Sequence, residues 1–417
     1  EKKVDDKIIF SYLLNSDTEA KGLNRDGSID RGKEESSFVV ESEFHNSYVA
    51  HSAIETHTAL AYMEGDRLIA RVSTQSPFGV QDTLSRELGL PLAKVRVIPP
   101  FVGGGFGGKA PARQALEAAR LTRLSGKPVM VHWTREEEFF YDTFRPAAVV
   151  KVISGADKQG KIRVWDYHEY YAGSRGSDTI YNVPNQRTTS YSGKDVHPFA
   201  TGAWRAPGNN TNTFARESQI DIMASRLGID PLEFRLKNLK DERMKGVLTA
   251  VADLFGWTPG KTPGGRGFGI ACGTDAGSYV AHMAEVRVDK STGQVQVVRV
   301  ACAQDMGFCV NHEGAKIQME GCIMMGLGYA LTEEVEFKGG DVITSNYGTY
   351  KIPRFSWLPT IETRILDKKE PMQGGGEPAI ICMGGVIANA ISDATGARLY
   401  RLPMTPERVL AAMSTKG

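Results

Sequence analysis

From Ser36 onward the apolar positions fall into short runs alternating with longer amphipathic stretches, a pattern of mixed strands and helices. Residues 68–74, 94–99 and 129–133 read as strands, with helices over 80–88 and 112–124 between them. Two further strands, 147–154 and 162–171, are separated by the turn-rich stretch 155–160, which predicts a hairpin. A helix over 213–227 stops at Gly228, and Asp230 with Pro231 supplies the cap and first-turn proline of another helix ending at Asn238. A second predicted hairpin (284–289 with 294–304) precedes a helix over 313–334, a strand over 361–366, a helix over 384–399 and a short helix after Thr405. The expectation is a mixed fold of the α+β class.

Residues 1–38 mix charges with Gly, Ser and Asp and read as a linker or peripheral arm. The Gly- and Pro-rich stretch 259–267 divides the remainder into expected modules over 39–258 and 259–417. With 417 residues the chain can bury a large core. Its 50 basic and 49 acidic residues are interspersed and nearly cancel, so it carries no electrostatic footprint for nucleic acid or an anionic membrane. Cys272, Cys302, Cys309, Cys322 and Cys382 form no Cys-x-x-Cys pair, which excludes a zinc ribbon or an iron–sulfur cluster and predicts buried free thiols. No apolar run reads as a membrane span. The chain opens at Glu1 without a methionine, which leaves the compartment open.

Residues 101–110, Phe-Val-Gly-Gly-Gly-Phe-Gly-Gly-Lys-Ala, set five glycines around one aromatic between a predicted strand and a predicted helix. Clustered glycines allow positive φ and close approach to the main chain, and bare amides suit an anionic or multi-atom cofactor. Gly103 to Lys109 also has the spacing of a phosphate loop, but Ala110 stands where a magnesium-binding Ser or Thr belongs. A turn that simply packs strand against helix is the plainer alternative.

Three other groups could carry chemistry. The turn Gly374-Gly-Gly-Glu-Pro378 holds Glu377 by backbone geometry, either as a general base or as an exposed loop glutamate; Pro378 biases Glu377 to an extended conformation. In Thr201-Gly-Ala-Trp-Arg-Ala-Pro-Gly208, Arg205 offers a fork of donors to an anion, or pairs with a surface acid while Trp204 fills the core. His51, Glu55 and His57 share one face if they lie on a strand, which fits a hydrogen-bonded patch near a sheet surface better than a metal site. Serine-hydrolase and zinc-protease signatures are missing.

Taken in order, the glycine loop, the Arg205 segment and the Glu377 turn resemble the molybdenum hydroxylases, the xanthine dehydrogenase and aldehyde oxidase family, with most likeness to the molybdopterin subunits of isoquinoline oxidoreductases. Ser73-Thr-Gln75, Asp230-Pro-Leu-Glu-Phe-Arg-Leu-Lys-Asn238, Gln318-Met-Glu-Gly321 and Tyr350-Lys-Ile-Pro353 belong to the same likeness. It implies the molybdenum cofactor-binding architecture of that family, with Gly105, Phe106 and Gly107 against the metal centre, Arg205 near it, Gln318 at the pterin and Glu377 as the catalytic base. The cofactor implied is molybdenum–molybdopterin, its dinucleotide form left open, with no protein ligand to the metal. The activity implied is hydroxylation of an N-heterocyclic aromatic or oxidation of an aldehyde, with water as oxygen source and electrons passed to the iron–sulfur clusters of a small partner subunit.

Departures from the family pattern refine this. Ala110 stands where xanthine-type enzymes carry a purine-binding glutamate, so purine is not the expected substrate, and Val49 aligns with a glutamine near the oxo ligand. The family's Met-Gly-Gln-Gly segment is missing, so the chain reads as the C-terminal part of a molybdopterin subunit that needs an N-terminal half as partner. The alternative is a non-catalytic scaffold that keeps the fold and cannot hold the cofactor alone.

Overall fold

The computed structural model describes residues 4–258, 260 and 265–415. Its largest sheet has six strands in the order Glu19–Asp26, Asn185–Ser192, Ile162–Tyr170, Ala148–Ala156, Phe38–Asn46, Arg401–Leu402. The predicted hairpin is its centre, with Ala148–Ala156 antiparallel to Ile162–Tyr170. A second sheet runs Arg266–Asp275, Ser278–Val288, Val295–Asp305, Thr360–Ile365, and the predicted hairpin joins its two middle strands. One apolar core extends from Val4 to Val409 and covers both expected modules, and the strand Arg401–Leu402 lies parallel to Phe38–Asn46 of the first. Pro259 and residues 261–264, at the expected module boundary, lie outside the described residues.

A smaller four-stranded sheet, Val95–Ile98, Arg67–Val72, Thr58–Glu64, Val129–His132, is covered by helices Pro77–Leu88 and Arg113–Ser125. It has a core of its own, built from small residues such as Ala61, Ala70, Ala115 and Ala118 around Leu68 and Leu84. The glycine loop connects this sheet's strand Val95–Ile98 to helix Arg113–Ser125, and so hangs between two rigid supports.

Of the two alternatives for residues 1–38, linker or peripheral arm, the described part is packed and paired rather than free. Helix Ile9–Leu14 buries Ile9, Phe10 and Leu13, and Phe10 stacks on His45 with centroids 4.3 Å apart. Strand Glu19–Asp26 pairs antiparallel with Asn185–Ser192 at the sheet edge. None of its side chains is fully buried, so no apolar alternation marks it, and backbone pairing places it at the edge.

Two helices carry the long-range packing. Asn209–Leu227 lies inside the core and anchors buried Glu217, which takes the Nε of Arg235 at 2.9 Å and the amide of Cys272 at 3.1 Å. Arg235 and Asn238 of the 230–238 motif are therefore structural, Asn238 also receiving the Ile162 amide. Met383–Thr395 packs on strand Arg266–Asp275 so closely that a Cβ at Gly269 would fall 2.0 Å from the Val386 carbonyl. The stretch Pro378–Thr395 is long and apolar enough to cross a membrane by length and composition, against the expectation from the sequence, yet 78% of it is buried inside the fold. All five cysteines are buried and free, and burial pushes the Cys272 and Cys322 thiols up to about 12.

Candidate active site

The glycine loop depends on unusual backbone. Gly104, Phe106 and Gly107 have φ of 90°, 53° and 116°, and a Cβ at Gly107 would lie 1.8 Å from the Ala203 carbonyl oxygen. An aromatic residue at positive φ is strained, and such strain persists only where surroundings enforce it. Here Glu55 Oε2 accepts from the Gly103 amide and from Lys109 Nζ, both at 2.6 Å, and Gln75 Oε1 accepts from the Gly107 amide at 2.9 Å. Lys109 is 1% exposed and turned inward to Glu55, which disposes of the phosphate-loop reading. The amides of buried Gly105 and of Phe106 donate to no group among the described residues.

Beneath the loop lie two buried histidine–carboxylate pairs. His51 Nδ1 is 2.9 Å from Asp142 and its Nε2 2.7 Å from the Ala203 carbonyl; His57 Nδ1 is 2.9 Å from Glu138 and its Nε2 3.0 Å from the Gly108 carbonyl. The patch is hydrogen-bonded as expected, but residues 51–57 form no strand and the patch is interior. Among the described residues, His57, Glu138 and Asp142 are the one His/Cys/acid group with donor atoms within 4.8 Å of one another. Glu138 is already paired with His57 and Asp142 with His51, while the His57 Nε2 faces the Gly108 carbonyl of the loop.

Arg205 gathers the sequence motifs. Its amide donates to the Phe106 carbonyl at 2.9 Å, its guanidinium carbon lies 5.9 Å from the Phe106 ring centroid, and its Nη2 reaches Gln318 Oε1 at 2.8 Å. Nε and Nη2 also donate to the Gly376 carbonyl at 3.0 and 2.5 Å, next to Glu377. Arg205 is buried and, among the described residues, pairs with no acid, while Trp204 fills the core and donates to the Ala50 carbonyl at 3.1 Å. Glu377 is not extended: with φ −116° and ψ −35° it begins a short 3-10 turn, and the Ile380 amide bonds its carbonyl at 3.0 Å. That turn outweighs the bias exerted by Pro378.

Residues 15–239 match the molybdopterin cofactor-binding domain family, more than half of the chain, and residues 258–359 match a second molybdopterin cofactor-binding domain. The chain is a member of the molybdenum hydroxylase family. It is 30% identical to one component of the nicotinate dehydrogenase of Pseudomonas putida, over 94% of this chain and 36% of that protein. To the beta component of isoquinoline 1-oxidoreductase from Brevundimonas diminuta it is also 30% identical, over 90% of this chain and 51% of that one. Quinoline 2-oxidoreductase from Pseudomonas putida 86 shares the fold, with a TM-score of 0.88 over 99% of this chain and 82% of its own at 17% identity. This molybdopterin-binding chain thus spans about a third and about half the length of these two curated relatives.

Val49 is fully buried and bridged to Arg145 through the backbone, away from the glycine loop's hydrogen bonds. The glutamine that touches the loop is Gln75, which belongs to the Ser73-Thr-Gln75 likeness but carries no expected role in the sequence. Arg175 and Asp275 have no counterpart among the sequence expectations. Arg175 Nη2 donates to Glu377 Oε2 at 3.0 Å and, with Nε, forks onto Asp275 at 2.7 and 2.8 Å. Burial holds Asp275 above its ordinary value against the pull of Asn209 and Arg175, with the charge of Glu377 adding to the rise. Arg175 is held above its own value because Asp275 and Glu377 outweigh its burial.

The residues present fit a pterin-borne metal. Glu377 is tied to the glycine loop through Arg205, which bonds the Gly376 and Phe106 carbonyls, and among the described residues the one cluster of three His, Cys or acid ligand atoms lies under the loop. A metal there needs ligands brought by its own cofactor, as a dithiolene brings them. Beside Gly376 a Cβ would meet only Gln318 Oε1, at 3.9 Å, so there is room against the turn.

Proposed function

We propose that this chain is the molybdopterin-binding component of an oxidoreductase that hydroxylates an N-heterocyclic aromatic compound or oxidises an aldehyde, with water as oxygen source. The observation that supports it is the convergence on Arg205 of Phe106, Gln318 and the Gly376–Glu377 turn, three motifs far apart in sequence. The names of the relatives, nicotinate dehydrogenase and isoquinoline 1-oxidoreductase, favour a nitrogen heterocycle. Partners in this reading are an iron–sulfur small subunit, which takes the electrons, and the remaining part of the molybdopterin subunit.

When bound, the molybdenum cofactor would supply a water-derived oxygen and a two-electron acceptor. Gly105, Phe106 and Gly107 would hold it through main-chain groups, and Arg205 and Gln318 would fix its position from the other side. Glu377 would accept the proton released when water-derived oxygen attacks the substrate carbon; its turn orients the carboxylate before the reaction begins. Gln75 would offer its amide nitrogen to an oxygen at the loop, since its Oε1 is already taken by Gly107.

The test is molybdenum analysis and turnover of the chain purified with its complete subunit and iron–sulfur partner, assayed on quinoline, nicotinate and aromatic aldehydes. Stoichiometric metal, turnover of one class and loss of turnover in Glu377→Gln with metal retained are expected. A complete, folded assembly free of molybdenum, or full activity in Glu377→Gln, would overturn the reading.

A further inference from the structure

Arg175 stands between two carboxylates in different surroundings. Asp275, at the end of strand Arg266–Asp275, has a wholly buried side chain, whereas Glu377 is 40% exposed. The fork onto Asp275 is backed by Asn209, whose Nδ2 donates to Asp275 Oδ1 at 2.7 Å while Thr213 donates to its Oδ1 at 3.0 Å. Asn212 of the same helix donates to the carbonyls of Gly173 and Arg175 at 2.9 and 3.0 Å, so the arginine's loop is tied to the helix N-terminal turn. Gly176, at φ 77°, lets the loop pass: a Cβ there would meet Asn209 Oδ1 at 1.9 Å. A relay of hydrogen bonds therefore runs from the core helix through Asn209, Asp275 and Arg175 to Glu377.

We propose that Arg175 is a positioning residue for Glu377, holding that carboxylate in one orientation, while buried Asp275 fixes the guanidinium that does so. The inference rests on the reading of Glu377 as base. Removing the arginine would leave two carboxylates facing each other without a cation to fix either in place. The other groups around the Glu377 turn do not replace it. Arg205 is committed to the Gly376 carbonyl and Gln318, Cys322 lies 3.6 Å from the Glu377 carbonyl oxygen, and Asp178, on the wall of a cavity of about 450 Å³ shared with Arg175 and Asp275, adds negative charge. The pair is partly solvated, so its effect is an adjustment of the base rather than a condition for folding.

The experiment uses Arg175→Gln, Arg175→Lys, Glu377→Gln and the Arg175→Gln/Glu377→Gln double variant in the complete cofactor-loaded assembly. Arg175→Gln is expected to keep its molybdenum and to lower kcat more than it raises KM. Arg175→Lys, which keeps the charge and loses the fork, should recover only part of the lost kcat. An independent readout is the thermal midpoint of the cofactor-free chain between pH 4 and 7, where the two substitutions should be non-additive if the carboxylate and guanidinium are coupled. An inactive Glu377→Gln together with wild-type kcat and KM in Arg175→Gln and additive midpoints would overturn the positioning role and leave the base in place. Activity in Glu377→Gln would overturn the base and this inference with it.

Discussion

The main-chain amide of Arg205 donates to the carbonyl of Phe106 at 2.9 Å, which locks two loops about a hundred residues apart in register before either side chain makes a contact. The side chain then uses a flat fork to reach Gly376 and Gln318. Lysine carries the charge but cannot aim several coplanar donors at two acceptors. Arg205→Lys should therefore fold, lose about 1.5–3 kcal/mol of anchoring, and show roughly 10- to 100-fold lower kcat/KM with a fall in molybdenum content. Unchanged metal content and rate in the purified assembly would show that the fork is dispensable.

Gly107 and Gly126 both have positive φ, but only one sits against backbone. Around Gly126, past the end of helix Arg113–Ser125, nothing lies within 4 Å of a built Cβ, so Gly126→Ala should cost about 1 kcal/mol from conformation alone. At Gly107 the Ala203 carbonyl blocks the position at 1.8 Å, and the Phe106 to Arg205 register would have to break. Gly107→Ala should cost about 3 kcal/mol and abolish cofactor retention, as read by urea unfolding and metal analysis. Equal costs at the two sites would mean that the loop relaxes freely around the added methyl group.

How much of this was legible depended on whether the signal was local. Gly228, Asp230 and Pro231 announce a helix end and a helix start in adjacent residues, and Gly228 is left-handed while Asp230 caps the next helix through two amides. The glycine loop and the Gly-Gly-Gly-Glu-Pro turn announced chemistry in the same way. Arg175 and Asp275 did not, because their meaning lies in a contact across 100 positions and neither stands in a distinctive local pattern. Strand Glu19–Asp26 was hidden because an exposed edge strand needs no apolar face. Period-two spacing puts His51 and His57 on one face of a strand, whereas their backbone is irregular and the side chains turn inward to carboxylates delivered by helix Arg135–Tyr141 and the residue after it.

The His51–Asp142 pair makes the floor of the loop sensitive to pH. Burial alone would push His51 down, but the hydrogen bond and charge of Asp142, with the Ala203 carbonyl and Glu138, outweigh it and hold the imidazole above its ordinary 6.5. Asp142 is held below 3.8, since His51 outweighs its burial. The histidine's contribution is therefore complete below pH 6.5 and lost as pH rises through its folded value; the aspartate's is complete above pH 3.8 and lost as pH falls. His51→Gln cannot carry the charge and leaves buried Asp142 without its cation, at a cost of about 3–5 kcal/mol near pH 6. Thermal midpoints across roughly pH 5–9 should show a downward step above 6.5 in the wild type and none in the variant. A step of the same size in both would assign it to another group.

Glu169 ties pH to the loop that carries Arg175. At the end of strand Ile162–Tyr170 its Oε2 accepts from the amides of Ala172 and Gly173 at 3.0 and 3.1 Å, and the Ser190 hydroxyl donates to Oε1. Burial pushes its carboxyl up to about 7, against the pull of Ser190 and the two amides. A folded value above the unfolded 4.5 means that the folded chain retains a proton the unfolded chain has released between those limits. Stability from this group accordingly falls as pH rises from 4.5 to 7, by roughly 1.4 kcal/mol per pH unit, and levels off above 7. Glu169→Gln keeps an oxygen for the two amides and does not titrate. Urea unfolding at about pH 5 and pH 7.5 should move the difference between variant and wild type about 2–3 kcal/mol in favour of the variant at the higher pH. A constant difference would mean that Glu169 is ionised throughout and that the Arg175 loop is held independently of pH.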